Sequence, residues 1–194
     1  MSEDPLAVVE FSHAVARVRD MSFRDDLHVR EIAAPTGLAP DALALAADVR
    51  PDAPGAESLY GTGRLVLLHD PDEPTQWGGP WRIVSFAQAP LEAEIGADPL
   101  LADVAWSWLM DALSAHGAHF HSPAGTATKT LSTGFGSLAA EGDGSQIELR
   151  ASWSPTGPIS PHVEAWAELV CMLAGLPPGS EQIATMTGRR FTRG

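Results

Sequence analysis

The string His116-Gly117-Ala118-His119-Phe120-His121 holds the densest group of chemically versatile side chains in the chain. Imidazole nitrogens can share a transition metal, which takes three or four ligands at about 2.0–2.1 Å. On extended backbone His119 and His121 fall on one face, while His116 sits at the negative end of a preceding helix. No His-Glu-x-x-His string or cysteine pair accompanies them. The same residues therefore also read as a helix-terminal histidine followed by an exposed edge strand. A second group, His69-Asp70-Pro71-Asp72-Glu73-Pro74, offers an imidazole and three carboxylates for a divalent cation or for acid–base work. Proline interrupts the alternation that a calcium loop needs, and Asp-Pro starts turns, so a turn held by His69 is the favoured reading.

Nucleophiles are scarce. Cys171, the single cysteine, falls among Val170 and Leu173 and reads as a small buried hydrophobe. No Gly-x-Ser-x-Gly string occurs, and Gly61-Thr-Gly63 and Gly134-Phe-Gly136 lack the Gly-Lys-Ser/Thr of a phosphate loop. No catalytic residue is assigned and no cofactor is expected. Tryptophan is abundant instead. Trp108, Trp153 and Trp166 fall on apolar stripes and are expected in the core. Trp106 stands about 200° round a helix from Trp108, and Trp77 lies in a Pro/Gly-rich loop. Exposed tryptophans anchor partners, which makes Trp77 and Trp106 the candidate contact residues.

Three helices are expected to position these groups. Asp4-Pro5, Asp98-Pro99 and Ser160-Pro161 each set a capping side chain before a proline at the first helical turn. The first helix runs to about Asp20 with Val8, Phe11, Val15 and Val18 on one stripe. The second carries Leu101, Val104, Ala105, Trp108, Leu109 and Ala112 and ends at Gly117. The third carries Val163, Trp166, Ala167, Val170 and Leu173 and ends at Gly175. Between them the apolar period falls to two. Leu43 to Val49, Leu65 to His69, Trp81 to Phe86 and Ile147 to Trp153 read as strands, with Leu27 to Ile32 and Ala127 to Phe135 as weaker candidates. The strand around Leu65 is apolar on both faces and so is expected at the sheet centre. The element order α-β-β-β-β-α-β-β-α with short connections predicts an α+β domain, an antiparallel sheet of about six strands packed with three helices.

Twenty-five acids against twelve Lys and Arg give a net charge of −13. Arg189, Arg190 and Arg193 lie in a short basic tail over 189–194, so the single domain over 1–188 is more acidic still. Such a body repels phosphate backbones, and no nucleic-acid partner is expected. No run is long and apolar enough to span a membrane, and no secretory signal is visible at the N-terminus, which leads to the expectation of a cytoplasmic protein.

Four strings together resemble one actinobacterial family, catalogued as a domain of unknown function, number three thousand in its series. They are Leu65-Val-Leu-Leu-His-Asp-Pro-Asp72, Asp98-Pro-Leu-Leu-Ala-Asp-Val-Ala-Trp-Ser-Trp-Leu109, Leu149-Arg-Ala-Ser-Trp-Ser-Pro-Thr156, and Glu164 to Cys171 with Gly175-Leu-Pro-Pro178. The resemblance covers about Val8 to Pro178 and carries no activity or site residue to transfer. The stretch Ala118 to Ser122 departs from the family's pattern. The element order is also similar to that of type III secretion chaperones, an analogy of fold alone. The expectation is a protein–protein interaction or chaperone-like module, with another chain or a second copy as partner. The alternatives are a ligand pocket or enzyme site at His69, Asp70 and Asp72, and a metal site at His116, His119 and His121.

Overall fold

The computed structural model describes residues 5–50 and 58–177; Asp4, the end of the chain with its arginine tail, and part of the loop after Val49 lie outside them. The elements run α1 (Pro5–Arg19), β1 (Leu27–Ile32), β2 (Asp41–Val49), β3 (Thr62–His69), β4 (Trp81–Leu91), α2 (Ala93–Gly96), α3 (Leu101–Ala115), β5 (His119–Thr133), β6 (Asp143–Thr156) and α4 (Ser160–Leu173), with a 3-10 turn at Gly136–Glu141. Six antiparallel strands form one sheet in the order β1-β2-β3-β4-β6-β5. The fold is α+β, with four helices where three were expected. The four-residue α2 is too short to show a helical period. No helix among the described residues is long and apolar enough to cross a membrane.

Alternation in β6 sends Ile147, Leu149, Ala151 and Trp153 inward and leaves Gln146, Glu148, Arg150 and Ser152 on the other face. On β3 the inward residues are Gly63, Leu65, Leu67 and His69, which register with Ala87, Ser85, Ile83 and Trp81 of β4. The three long helices pack on this face. α4 lies over β2, β3 and β4, α3 over β5 and β6, and α1 against α4. Because α4 is enclosed by the sheet and two helices, its buried set extends beyond the expected stripe to Ala165, Leu169, Cys171 and His162. Gly117 (φ +66°) and Gly175 (φ +78°) close α3 and α4 in the left-handed conformation that glycine adopts freely.

The expected starts of α3 and α4 shift. α3 begins at Leu101, and Asp98 Oδ1 instead accepts the N–H of Leu100 at 2.8 Å in the preceding turn. Ser160 is already helical, with Ile159 at the cap position and no side-chain cap. Val104 is 37% exposed, and Leu113 takes the buried place on α3.

At Gly63 α4 seats directly on the sheet. A Cβ there would stand 2.5 Å from Val170 Cγ2 and 3.0 Å from Trp166 Cζ2. Both side chains are fully buried, so neither has room to move aside. Gly63→Ala is therefore expected to lower stability by about 1–3 kcal/mol through overpacking. A urea midpoint equal to that of the unmodified protein would contradict the direct seating of α4 on β3.

Candidate interaction site

The histidines and carboxylates singled out in the sequence are drawn into separate local networks. His69 is buried at the end of β3 with Nδ1 3.1 Å from Asp41 Oδ2 on β2. Its ring lies 4.3 Å from that of Trp81 and 5.8 Å from that of Phe11. Asp70 Oδ1 accepts the N–H of Asp72 at 3.0 Å, and Asp70 O accepts that of Glu73 at 3.1 Å, so this carboxylate shapes the turn after β3. A cavity of about 620 Å³ between α1 and the start of α4 is lined by Trp81, His13, Arg17 and Ser160, and by none of His69, Asp70 and Asp72.

His116, at the end of α3, clips that helix to α4. Its Nε2 is 2.5 Å from Glu168 Oε2 and its Nδ1 3.4 Å from Glu164 Oε2. His119 and His121 lie on β5, the edge strand. His121 Nδ1 is 3.0 Å from Ser122 Oγ, and the ring sits against Gly78 of the β3–β4 loop. Among the described residues no three His, Cys, Asp or Glu side chains are grouped to hold a metal ion. Trp106 and Trp108 are both half-buried against the core. Trp106 reaches sideways over β5, where a Cβ on Gly125 would stand 2.5 Å from its Cζ3. Half-buried Trp77 is tied through its carbonyl, which accepts from Ser154 Oγ at 2.6 Å.

Two buried groups have strongly shifted protonation. Burial, ahead of charges on Asp26 and Glu168, pushes the Cys171 thiol up to about 11 and outweighs nearby Arg24. The thiol is protonated and a poor nucleophile. Burial pushes His162 down to about 4, against the backbone of His119. Trp153 Nε1–H donates to His162 Nδ1 at 3.0 Å, which leaves the proton of the neutral ring on Nε2. That buried nitrogen lies toward the backbone of His119, outside strict hydrogen-bond geometry. The Trp153–His162 hydrogen bond contributes about 1 kcal/mol and ties β6 to the start of α4.

On the face away from the helices, side chains of β4, β5 and β6 such as Val84 and Arg150 are accessible, while Ala44, Ala46 and Asp48 of β2 and Leu68 of β3 are buried. Register sets Arg30, Ala46, Arg64, Phe86, Arg150 and Thr126 in one row across all six strands. The adjoining row is Ile32, Ala44, Val66, Val84, Ser152 and Ala124, in which Val84 is 42% exposed. Arg30 pairs with buried Asp48, and Arg150 bonds Glu148 at 2.6 Å while lying 5.7 Å above the Phe86 ring. Arg82 donates to Ser122 O at 3.0 Å, Ser154 Oγ at 3.1 Å and Ser152 Oγ at 2.6 Å. It thereby pins the bulge of β5 between His121 and Ala124 to the sheet, and burial draws its guanidinium below the usual value. With Arg64, the described strand residues of this face include four arginines and two acids, Asp48 and Glu148. Beside the bulge an open groove of about 350 Å³ is lined by Val84, Arg150, Ser152, Ala124 and Thr126. None of this was visible in the sequence, because a row across a sheet needs the register of every strand.

Fold and site together define a small α+β protein with helices on one face of its sheet and a basic, partly apolar opposite face. The family described as "Protein of unknown function (DUF3000)" matches over residues 7–183, and the chain belongs to it. Comparison with curated proteins and with solved structures gives no significant match.

Since the unfolded imidazole near 6.5 binds a proton that buried His162 refuses until about 4, stability is expected to fall as pH drops from 6.5 towards 4. This one group accounts for roughly 3 kcal/mol across that window. Melting temperatures against pH should show a shallower fall in His162→Gln; superimposable profiles would contradict the assignment.

Proposed function

We propose that the protein works by binding another polypeptide, as a cytoplasmic adaptor or chaperone-like module, and that the open face of the sheet is its binding surface. The observation that carries this is the charge of that face, basic on a chain of net charge −13 and set around Phe86, Val66 and Val84. Its chemistry suits a short segment that alternates acidic with apolar side chains: carboxylates for Arg64 and Arg150, an apolar side chain for the groove at Val84. A long polyanion suits it less, because the rest of the body repels one. Against catalysis stands the engagement of His69, Asp70 and His116 in local networks, and the protonated, buried Cys171.

Selection from a random peptide display library tests this. Enriched peptides are expected to carry Asp or Glu next to large apolar residues, and their binding should weaken with added salt. The double variant Val84→Asp/Arg64→Glu, with an unchanged far-ultraviolet spectrum, should lose them. A library that yields no binder, or binders indifferent to the double variant, would overturn the reading.

A further inference from the structure

The sheet has two edges, and they differ in kind. β1 is six residues long and guarded by charge, with Glu31 paired to Arg19 at 2.9 Å and Arg30 to Asp48. Short, charged edges resist pairing with other strands. β5 is 15 residues long, and among the described residues its regular stretch from Ala124 to Thr133 pairs with β6 on one side only. In an antiparallel ladder alternate residues send both N–H and C=O to the same neighbour, so every second residue of this stretch points its backbone outward. From Ala112 to Ala140 the chain has no Asp or Glu, and its single charged residue, Lys129, donates from Nζ to Asp98 O at 2.7 Å. Leu131 (61% exposed) and Phe135 (80% exposed) stand at the far end of the strand.

We propose that β5 pairs antiparallel with β5 of a second copy of this chain, about a two-fold axis at Thr128, to make one continuous sheet of both copies. The occupant follows from charge and symmetry. Two bodies of net charge −13 repel each other, and this edge, which carries no Asp or Glu, is where they can meet at least cost. The axis at Thr128 sets Thr126 opposite the second copy's Thr130 and Thr128 opposite itself, and facing threonines are favourable pairs. It also sets Leu131 of each copy opposite Gly125, where the missing Cβ admits half-buried Trp106, so each leucine covers the other copy's indole edge. This pairing is independent of the peptide-binding reading, because it uses the strand edge and not the open face.

Native mass spectrometry and sedimentation velocity test it in the full chain. The expected species has twice the 20.5 kDa chain mass. Association should strengthen as salt screens the mutual repulsion, the opposite of the salt response expected for acidic peptides. Thr128→Glu sets like charges face to face and should yield monomer with an unchanged circular dichroism spectrum. Thr128→Cys should cross-link on mild oxidation of the native protein, since buried, protonated Cys171 does not compete. A monomer at all concentrations and salt levels overturns the proposal. A dimer that persists in Thr128→Glu and is not cross-linked in Thr128→Cys overturns it equally.

Discussion

Everything in this molecule hangs on the seating of α4 on β3. Gly63 removes the side chain that would hold the helix off, and Trp166 and Val170 close directly on the strand. Once there, α4 offers apolar surface in three directions: to the sheet, to α3 and to α1. Burying a large apolar side chain contributes about 1.5–3 kcal/mol. The row of buried residues on this one helix therefore outweighs the polar contacts around it. The Trp153–His162 hydrogen bond and the His116–Glu168 contact then fix how β6 and α3 meet α4.

Placing all three long helices on one face has a consequence for the other. Among the described residues no helix covers the opposite face, and arginines there lie over apolar residues, as Arg150 lies over Phe86. A basic surface on an acidic protein follows, and on the present account that surface takes an acidic, amphipathic segment. The same arrangement leaves β5 at the margin with α3 reaching only partly over it, through Trp106 and Gly125. Helix layer, open face and free edge are thus three results of one packing decision.

Much of this was legible in the sequence. Strict alternation in β6 identified its two faces, and Gly117 and Gly175 marked the helix ends because each sits where the backbone turns left-handed. β5 was harder: its run of Thr, Ser, Gly and Ala has no alternation, since an edge strand exposed on both faces has no core to encode. The histidines looked like a cluster because sequence shows spacing and not partners. His69 found Asp41, and His116 found Glu164 and Glu168, all far along the chain. By their angle on α3, Trp108 was expected in the core and Trp106 away from it, yet both are half-buried against it because β5 lies alongside that helix. The arginine row was illegible in principle, because Arg30, Arg64 and Arg150 come from three different strands and only register aligns them.

The most direct test of this account is amide hydrogen exchange along β5, resolved residue by residue by nuclear magnetic resonance. If the edge is joined to a second copy, every amide from Ala124 to Thr133 is protected at high protein concentration, and alternate ones become fast on dilution. Alternate amides that exchange fast at every concentration would show an edge that stays unpaired, and would contradict it.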